Sequence, residues 1–184
     1  MLQTNEVRVA VTGEVLRGPQ SVQAPTGPTG PVPDGLIGLG YLDEKGVTED
    51  PNKSVKPIKA WQNGAEVRTL VTDGKLTMKF RMIQTNKATT ETFYGTEVEQ
   101  TSAHGTYDIK PTSTGGRQSW LFDYIDGDKH RRVWVPEGEV TDTSAISFVG
   151  TDERGYEVTI SCYPSDSLDG ANARVWDTAL AAAS

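Results

Sequence analysis

From Lys75 to Met82 the side chains alternate without a break. Leu76, Met78, Phe80 and Met82 are apolar, and Lys75, Thr77, Lys79 and Arg81 are polar. A period of two belongs to a β-strand with one dry face, because successive side chains point to opposite sides. A lone strand has no stability, so the rest of the chain must supply partners for it. The residue balance favours this. Val outnumbers Leu 17 to 10, and there are 22 Thr. β-branched side chains suit a pleated, half-buried surface.

Other segments carry the same signal. Val7, Val9 and Val11 alternate with Arg8, Ala10 and Thr12, which predicts a strand over 6–16, bent at Gly13. Residues 36–42 read as a short apolar strand. Residues 58–72 read as two short strands joined at Gln62-Asn63-Gly64, since Asn-Gly tolerates the positive φ of a tight hairpin. Asp73-Gly74 reads as a further turn. Trp120, Phe122 and Tyr124 share a face, and Asp126-Gly127-Asp128-Lys129 turns into a strand at Arg132–Val135. A last hairpin is predicted from Ile146 and Phe148, through a turn at 152–155, into Tyr156, Val158, Ile160 and Cys162. One internal helix is expected over Asn86–Tyr94, capped by Asn86 and ended by Gly95.

Three stretches resist this pattern. Residues 18–35 hold Pro19, Pro25, Pro28, Pro31 and Pro33 among glycines, which excludes a helix or a central strand. Residues 43–57 carry four acids and three lysines and read as a second long loop. Both loops are expected to be mobile in a free subunit, because they offer little apolar area against the entropy of ordering. Residues 165–184 read as a loose tail, with a frayed helix over 171–183. Seven to nine strands with one helix and no strand–helix alternation predict a mainly β fold. The expected form is a sandwich or barrel of two packed sheets with a short flanking α-helix, in a single domain over 1–184.

Composition bounds the function. Leu, Ile, Val and Phe total 38 of 184 residues, enough for one modest core. The net charge of −7 argues against a broad basic face that grips nucleic acid. No apolar run approaches the roughly 20 residues of a membrane helix. Met1–Glu6 lacks the basic and apolar parts of a signal peptide, so synthesis in a reducing cytoplasm is expected. Without secretion, the sequon-like Asn52-Lys53-Ser54 has no use.

Chemistry is not evident. His104 and His130 have no Cys or carboxylate at ligand spacing and read as surface histidines. Asp123, Asp126 and Asp128 do not match a calcium loop and read as a hairpin turn. Gly35 to Gly40 lacks the helix and the Lys-Ser/Thr of a phosphate loop. Cys162 alternates with core residues and reads as a buried, inert thiol. Trp61, Trp120, Trp134 and Trp176 read as core or interface groups before a sugar platform. No catalytic, cofactor-binding or metal residue is assigned, and no cofactor is expected.

Leu39-Gly-Tyr-Leu-Asp-Glu-Lys-Gly-Val-Thr-Glu49, followed by Ile58-Lys-Ala-Trp-Gln-Asn-Gly-Ala-Glu-Val-Arg68, resembles the major tail tube protein of long-tailed, non-contractile bacteriophages. Lys75–Gly95 is similar to that family's strand–helix unit. Arg132-Val-Trp-Val-Pro136, Ile146-Ser-Phe148 and Tyr156-Glu-Val-Thr-Ile160 look like its C-terminal strands. The resemblance spans about residues 5–165 and lies in the order of soft motifs. Gln84 stands where a Glu is expected, and the stretch 19–33 is individual to this chain.

The resemblance implies a structural virion protein, not an enzyme. Six copies would form a ring, and rings would stack into a hollow tube that conducts double-stranded DNA into the host without binding it specifically. Its partners would be itself, a tape-measure protein, and the tail tip and tail terminator proteins, with no membrane insertion. It would be made in the host bacterial cytoplasm. The alternative is a carbohydrate- or cell-wall-binding β-sandwich.

Overall fold

The computed structural model describes residues 7–181. The expectations for 1–6 and 182–184 lie outside the described residues. Ten strands and one α-helix are present among those described: β1 (Thr12–Gly18), β2 (Ile37–Gly38), β3 (Leu42–Lys59), β4 (Glu66–Met82), α1 (Lys87–Tyr94), β5 (Glu99–Gln100), β6 (Gly105–Thr106), β7 (Gln118–Asp126), β8 (Lys129–Thr143), β9 (Tyr156–Cys162) and β10 (Arg174–Asp177). Eight strands form one antiparallel sheet in the order β2-β1-β7-β8-β9-β4-β3, with β10 added on β8. β5 and β6 form a separate two-stranded ribbon. The fold is mainly β with two sheets and one short flanking helix, as expected.

The large sheet rolls up on itself. β4 and β7 lie three strand spacings apart, roughly 14 Å in a flat sheet. Yet the Phe80 ring on β4 stands 6.4 Å from Trp120 and 6.0 Å from Phe122 on β7, both edge-to-face. Curvature brings the alternating faces together. Met78, Phe80 and Met82 meet Trp120, Phe122, Val133, Val158 and Ile160 in one dry core. At Gly138, where β8 bends, a Cβ would lie 2.5 Å from the Trp120 ring, so only glycine lets the indole pack there. The Trp120 Nε1–H donates to the Gly138 carbonyl at 3.0 Å.

α1 forms as its caps predict. Asn86 Oδ1 accepts from the Thr89 N–H at 2.8 Å, and Gly95 ends the helix with φ of 62°. The Thr-rich face is buried, and Thr89 Oγ1 donates to the Leu39 carbonyl at 2.9 Å. Arg17 of β1 pairs with Glu91 at 3.0 Å and ties the helix to the sheet. Burial lowers the Arg17 pKa, and Glu91 opposes that shift.

Several expectations need correction. The stretch 43–57 is not a loop, because it lies within β3. The two short strands of 58–72 are the far end of a long hairpin, and Asp73-Gly74 lies inside β4 rather than at a turn. Residues 7–11 precede β1, and Val7, Val9 and Val11 are exposed. The strand of 36–42 shrinks to β2. Ile146 and Phe148 are outside any strand. β9 instead pairs with β8 and β4. The described part of the tail is not loose. Asp166–Leu168 forms a 3-10 turn, and Arg174–Asp177 pairs with β8 where a helix was expected.

The Pro/Gly loop after β1 also packs more than its composition predicts. Val22 and Leu36 join Leu16, Leu121, Trp134 and Leu168 in a second cluster on the outer face of the sheet. Arg132 fastens the loop by donating to the Gly27 carbonyl at 3.2 Å and the Gly30 carbonyl at 2.8 Å.

Candidate functional site

The residues with possible chemistry do not converge. Cys162 is buried, and desolvation, aided by Glu49, pushes its thiol up to about 12. The nucleophilic thiolate is therefore suppressed at neutral pH. Native protein should resist alkylation at pH 8 and react at the rate of a free thiol only in denaturant. Fast native labelling would contradict the buried placement. His104 is exposed, and His130 is half-buried at the start of β8, so the two remain surface residues in separate places. Asp123 is held by Arg132, Asp126 accepts from the Val9 N–H, and Asp128 pairs with Lys129. Among the described residues, no three or more acidic, His or Cys side chains gather as a metal site.

The tryptophans divide. Trp120 and Trp134 are core, and Trp176 is half-buried against the outer cluster. Trp61 alone stands free, at 96% exposure. Among the described residues the tryptophans form no shared stacking platform. A pocket of about 620 Å³ lies within the Pro/Gly loop, lined by Pro19, Val22, Pro25, Pro31, Val32 and Asp34. Asp34 is the one titratable group in its lining. Gly35 and Gly40 have positive φ, which only glycine adopts freely. Gln84 Oε1 accepts from the Tyr41 N–H at 3.2 Å beside Gly40, so a neutral amide holds the position where a Glu was expected.

What stands out is an arm. β4 pairs with β9 only from Leu76 to Met82, and beyond Leu76 it pairs with β3 alone. The two strands continue as a ribbon from Asn52–Lys75 to the tip at Ala60–Ala65. Eight residues of β3 at about 3.3 Å each give a reach of roughly 25 Å. From Pro51 to Lys75 every residue is exposed except the half-buried Ala60. Val55, Ile58, Trp61, Val67, Leu70 and Val71 are all in water. A two-stranded ribbon is marginal in water, and apolar exposure on this scale marks an interaction surface.

The arm is shaped to resist the wrong contact. β3 is the last strand of the sheet, so its outer edge is unpaired. Pro51 and Pro57 remove donors from that edge, and Lys53, Lys56 and Lys59 line it with charge. Both devices discourage edge-to-edge strand addition. Sequence reasoning found the turn at the tip but missed the arm. The signal was the row of exposed apolar residues on both sides of Asn63-Gly64.

Two of the three cations on the polar face of the 75–82 strand are paired locally. Lys79 pairs with Glu157 at 2.9 Å, and Arg81 pairs with Asp43 at 3.5 Å and with Glu153 at 2.5 Å. Hydrogen bonds from Ser144 and Lys79 hold the Glu157 carboxyl below its usual range. Lys79 and Arg81 are thus offset by acids on β3, β9 and the loop before β9, whereas Lys75 forms no ion pair among the described residues.

A sequence profile described as phage tail tube protein matches residues 1–179. No curated protein matches in sequence. Among solved structures, a chain of the extracellular contractile injection system PVC sheath–tube complex, in its extended state, is similar at 10% identity and a TM-score of 0.45. That similarity covers 95% of this chain and 98% of the other.

Proposed function

The chain belongs to the phage tail tube protein family, and from that premise we propose that it polymerises as stacked hexameric rings into the hollow tube of a non-contractile phage tail. Family membership carries a structural role in the tail and a place in the virion. The observation that supports polymerisation is the arm. Its exposed apolar residues have no partner within the subunit, and a second copy supplies one. A contact between an arm and a different patch on the next copy is heterologous, and where its rotation does not close into a ring it propagates along an axis.

The tube is the conduit for double-stranded DNA leaving the capsid. An acidic subunit suits this role, because like charges keep the cargo from sticking to the wall. The local pairing of Lys79 and Arg81 fits the same requirement. A tape-measure protein fills the lumen before DNA does, and the tip and terminator proteins bound the tube at its ends. The protein is made in the host cytoplasm and assembles there.

Negative-stain microscopy tests this reading. Concentrated protein, mixed with tip and tape-measure proteins as nucleators, should give hollow tubes with six-fold end views. Protein that stays monomeric under those conditions would overturn it.

A further inference from the structure

Two tyrosines far from the arm stack on one another. Tyr94 ends α1, and Tyr107 follows β6. Their ring centroids are 5.1 Å apart, with the planes tilted by 33°. Among the described residues this is the one ring contact between tyrosines. Tyr41 stands in water, Tyr156 is in the core, Tyr124 lies under the Arg131 guanidinium and Tyr163 under that of Arg117. The two stacked rings differ in access. Tyr107 is 38% exposed, whereas Tyr94 is half-buried and meets Phe93 edge to face at 4.9 Å.

We propose that Tyr94 and Tyr107 are an oxidative modification site, at which a one-electron oxidant joins the two rings into a dityrosine staple. Each phenol gives one electron to the oxidant and its hydroxyl proton to water. The two phenoxyl radicals then pair, and one carbon–carbon bond forms between the ring positions beside the oxygens. The hydrogen on each of those carbons shifts to its oxygen, which restores both phenols. The pair has lost two electrons and two protons. Hydrogen peroxide takes these up as two waters. Persulfate takes the electrons as two sulfates and leaves the protons in solution. Rings already in contact couple without a search, which gives this pair its advantage over the other tyrosines. Burial, with Tyr107 adding to it, pushes the Tyr94 phenol up. Tyr94 therefore holds its proton more tightly, and the exposed Tyr107 is oxidised first.

The staple has a structural consequence at the β5–β6 ribbon. Its strands are two residues each, and from Glu97 to Thr106 only Val98 is buried. A ribbon this short has little stability of its own. The Val98 N–H donates to Glu91 Oε1 at 3.1 Å, and the Tyr94–Tyr107 stack supplies the second hold on α1. A covalent bond at that stack closes residues 95–106 into a loop and removes conformations open to the released ribbon. Cys162 is the single cysteine and is buried, so the chain has no internal disulfide to do this. Unlike a disulfide, the carbon–carbon bond is not undone by thiols.

Photo-oxidation of the full-length subunit with tris(bipyridyl)ruthenium and persulfate tests the site, at a dilution where molecules rarely meet. The product should remain a monomer, lose two hydrogens in mass and show the blue emission of dityrosine. Proteolysis after Glu97 and Glu99 separates Tyr94 from Tyr107 in untreated protein and should leave them joined in the product. Tyr107→Phe keeps an aromatic ring in the stack and should abolish the link, with circular dichroism confirming the fold, while Tyr41→Phe should leave the link unchanged. Amide exchange from Val98 to Thr106 should slow in the stapled protein. In urea, where the stack is lost, the yield of the link should fall steeply. An internal link that maps to another tyrosine pair overturns the proposal, as does an oxidised monomer whose Tyr94 and Tyr107 peptides separate. Survival of the link in Tyr107→Phe, an equal yield in urea, or unchanged exchange in the ribbon also overturns it.

Discussion

Replacing Arg132 by Met should lower unfolding stability by about 3–5 kcal/mol, the cost of leaving a buried charge without its partner. Arg132 is 4% exposed on β8, and its Nε and Nη2 both donate to Asp123 Oδ2, at 3.2 and 2.6 Å. The Asp123 Oδ1 atom is buried and has no hydrogen-bond partner in the structure, so the carboxylate depends on this one guanidinium. The same side chain anchors the Pro/Gly loop through two carbonyls. Loss of Arg132 thus strands a carboxylate and releases the loop together. Two variants separate these effects. Arg132→Met with Asp123→Leu removes both charges and should recover most of the loss, because apolar groups of similar size often replace a buried pair without penalty. Urea unfolding followed by Trp fluorescence measures both. Equal instability of the single and double variants would place the cost in the loop carbonyls instead.

The pair also explains why the loop defied its composition. Five prolines and several glycines read as an arm free in solution, and within the loop little apolar area offsets ordering. The contacts that hold it come from far away in sequence. Arg132 lies about a hundred residues from Gly27 and Gly30, and Trp134, Leu121 and Leu168 supply the surface for Val22 and Leu36. No local pattern encodes such a match. By contrast, the 75–82 strand, the α1 caps and the 126–129 turn depend on neighbours within a few residues, and these were legible.

The arm was illegible for a different reason. Period-two alternation appears where one face of a strand is dry and the other wet. Between Asn52 and Lys75 both faces are wet in the subunit, so no alternation is written there. The four acids and three lysines of 43–57 read as a loop, and Pro51 and Pro57 do not interrupt the strand because an unpaired edge needs no N–H at those positions. Asp73-Gly74 carried a turn signal that the β3 pairing overrides, with Asp73 Oδ1 accepting from the Gly74 N–H at 2.9 Å. The missing information is the partner. The arm's side chains are chosen for a surface that the subunit does not contain, which is also why the candidate site had no chemical motif. The error at Ile146 and Phe148 is of the opposite kind. Two apolar residues alternated there, but the Phe148 side chain lies in solvent under the Arg154 guanidinium, 4.6 Å from its ring centroid.

Removing the arm should separate folding from assembly completely. Asn52 and Lys75 stand opposite one another in the register, so a two-residue Asn-Gly loop can join them in place of Lys53–Gly74. No residue from 53 to 74 belongs to either hydrophobic cluster, and the β4–β9 pairing begins at Leu76, beyond the cut. The shortened protein should therefore keep wild-type stability to within about 0.5–1 kcal/mol, as substitutions away from the core do. It should be more soluble as a monomer, since the exposed Val55, Ile58, Trp61, Val67, Leu70 and Val71 are gone. It should form no tubes at any concentration that supports wild-type assembly, even with nucleators present. Mixed with wild-type protein, it should accept an incoming arm but offer none, and so cap growing ends at substoichiometric amounts. Sedimentation and negative-stain length distributions read this directly. Tubes of normal length from the shortened protein would mean that the subunits are joined elsewhere, on the β1 and β2 side of the sheet.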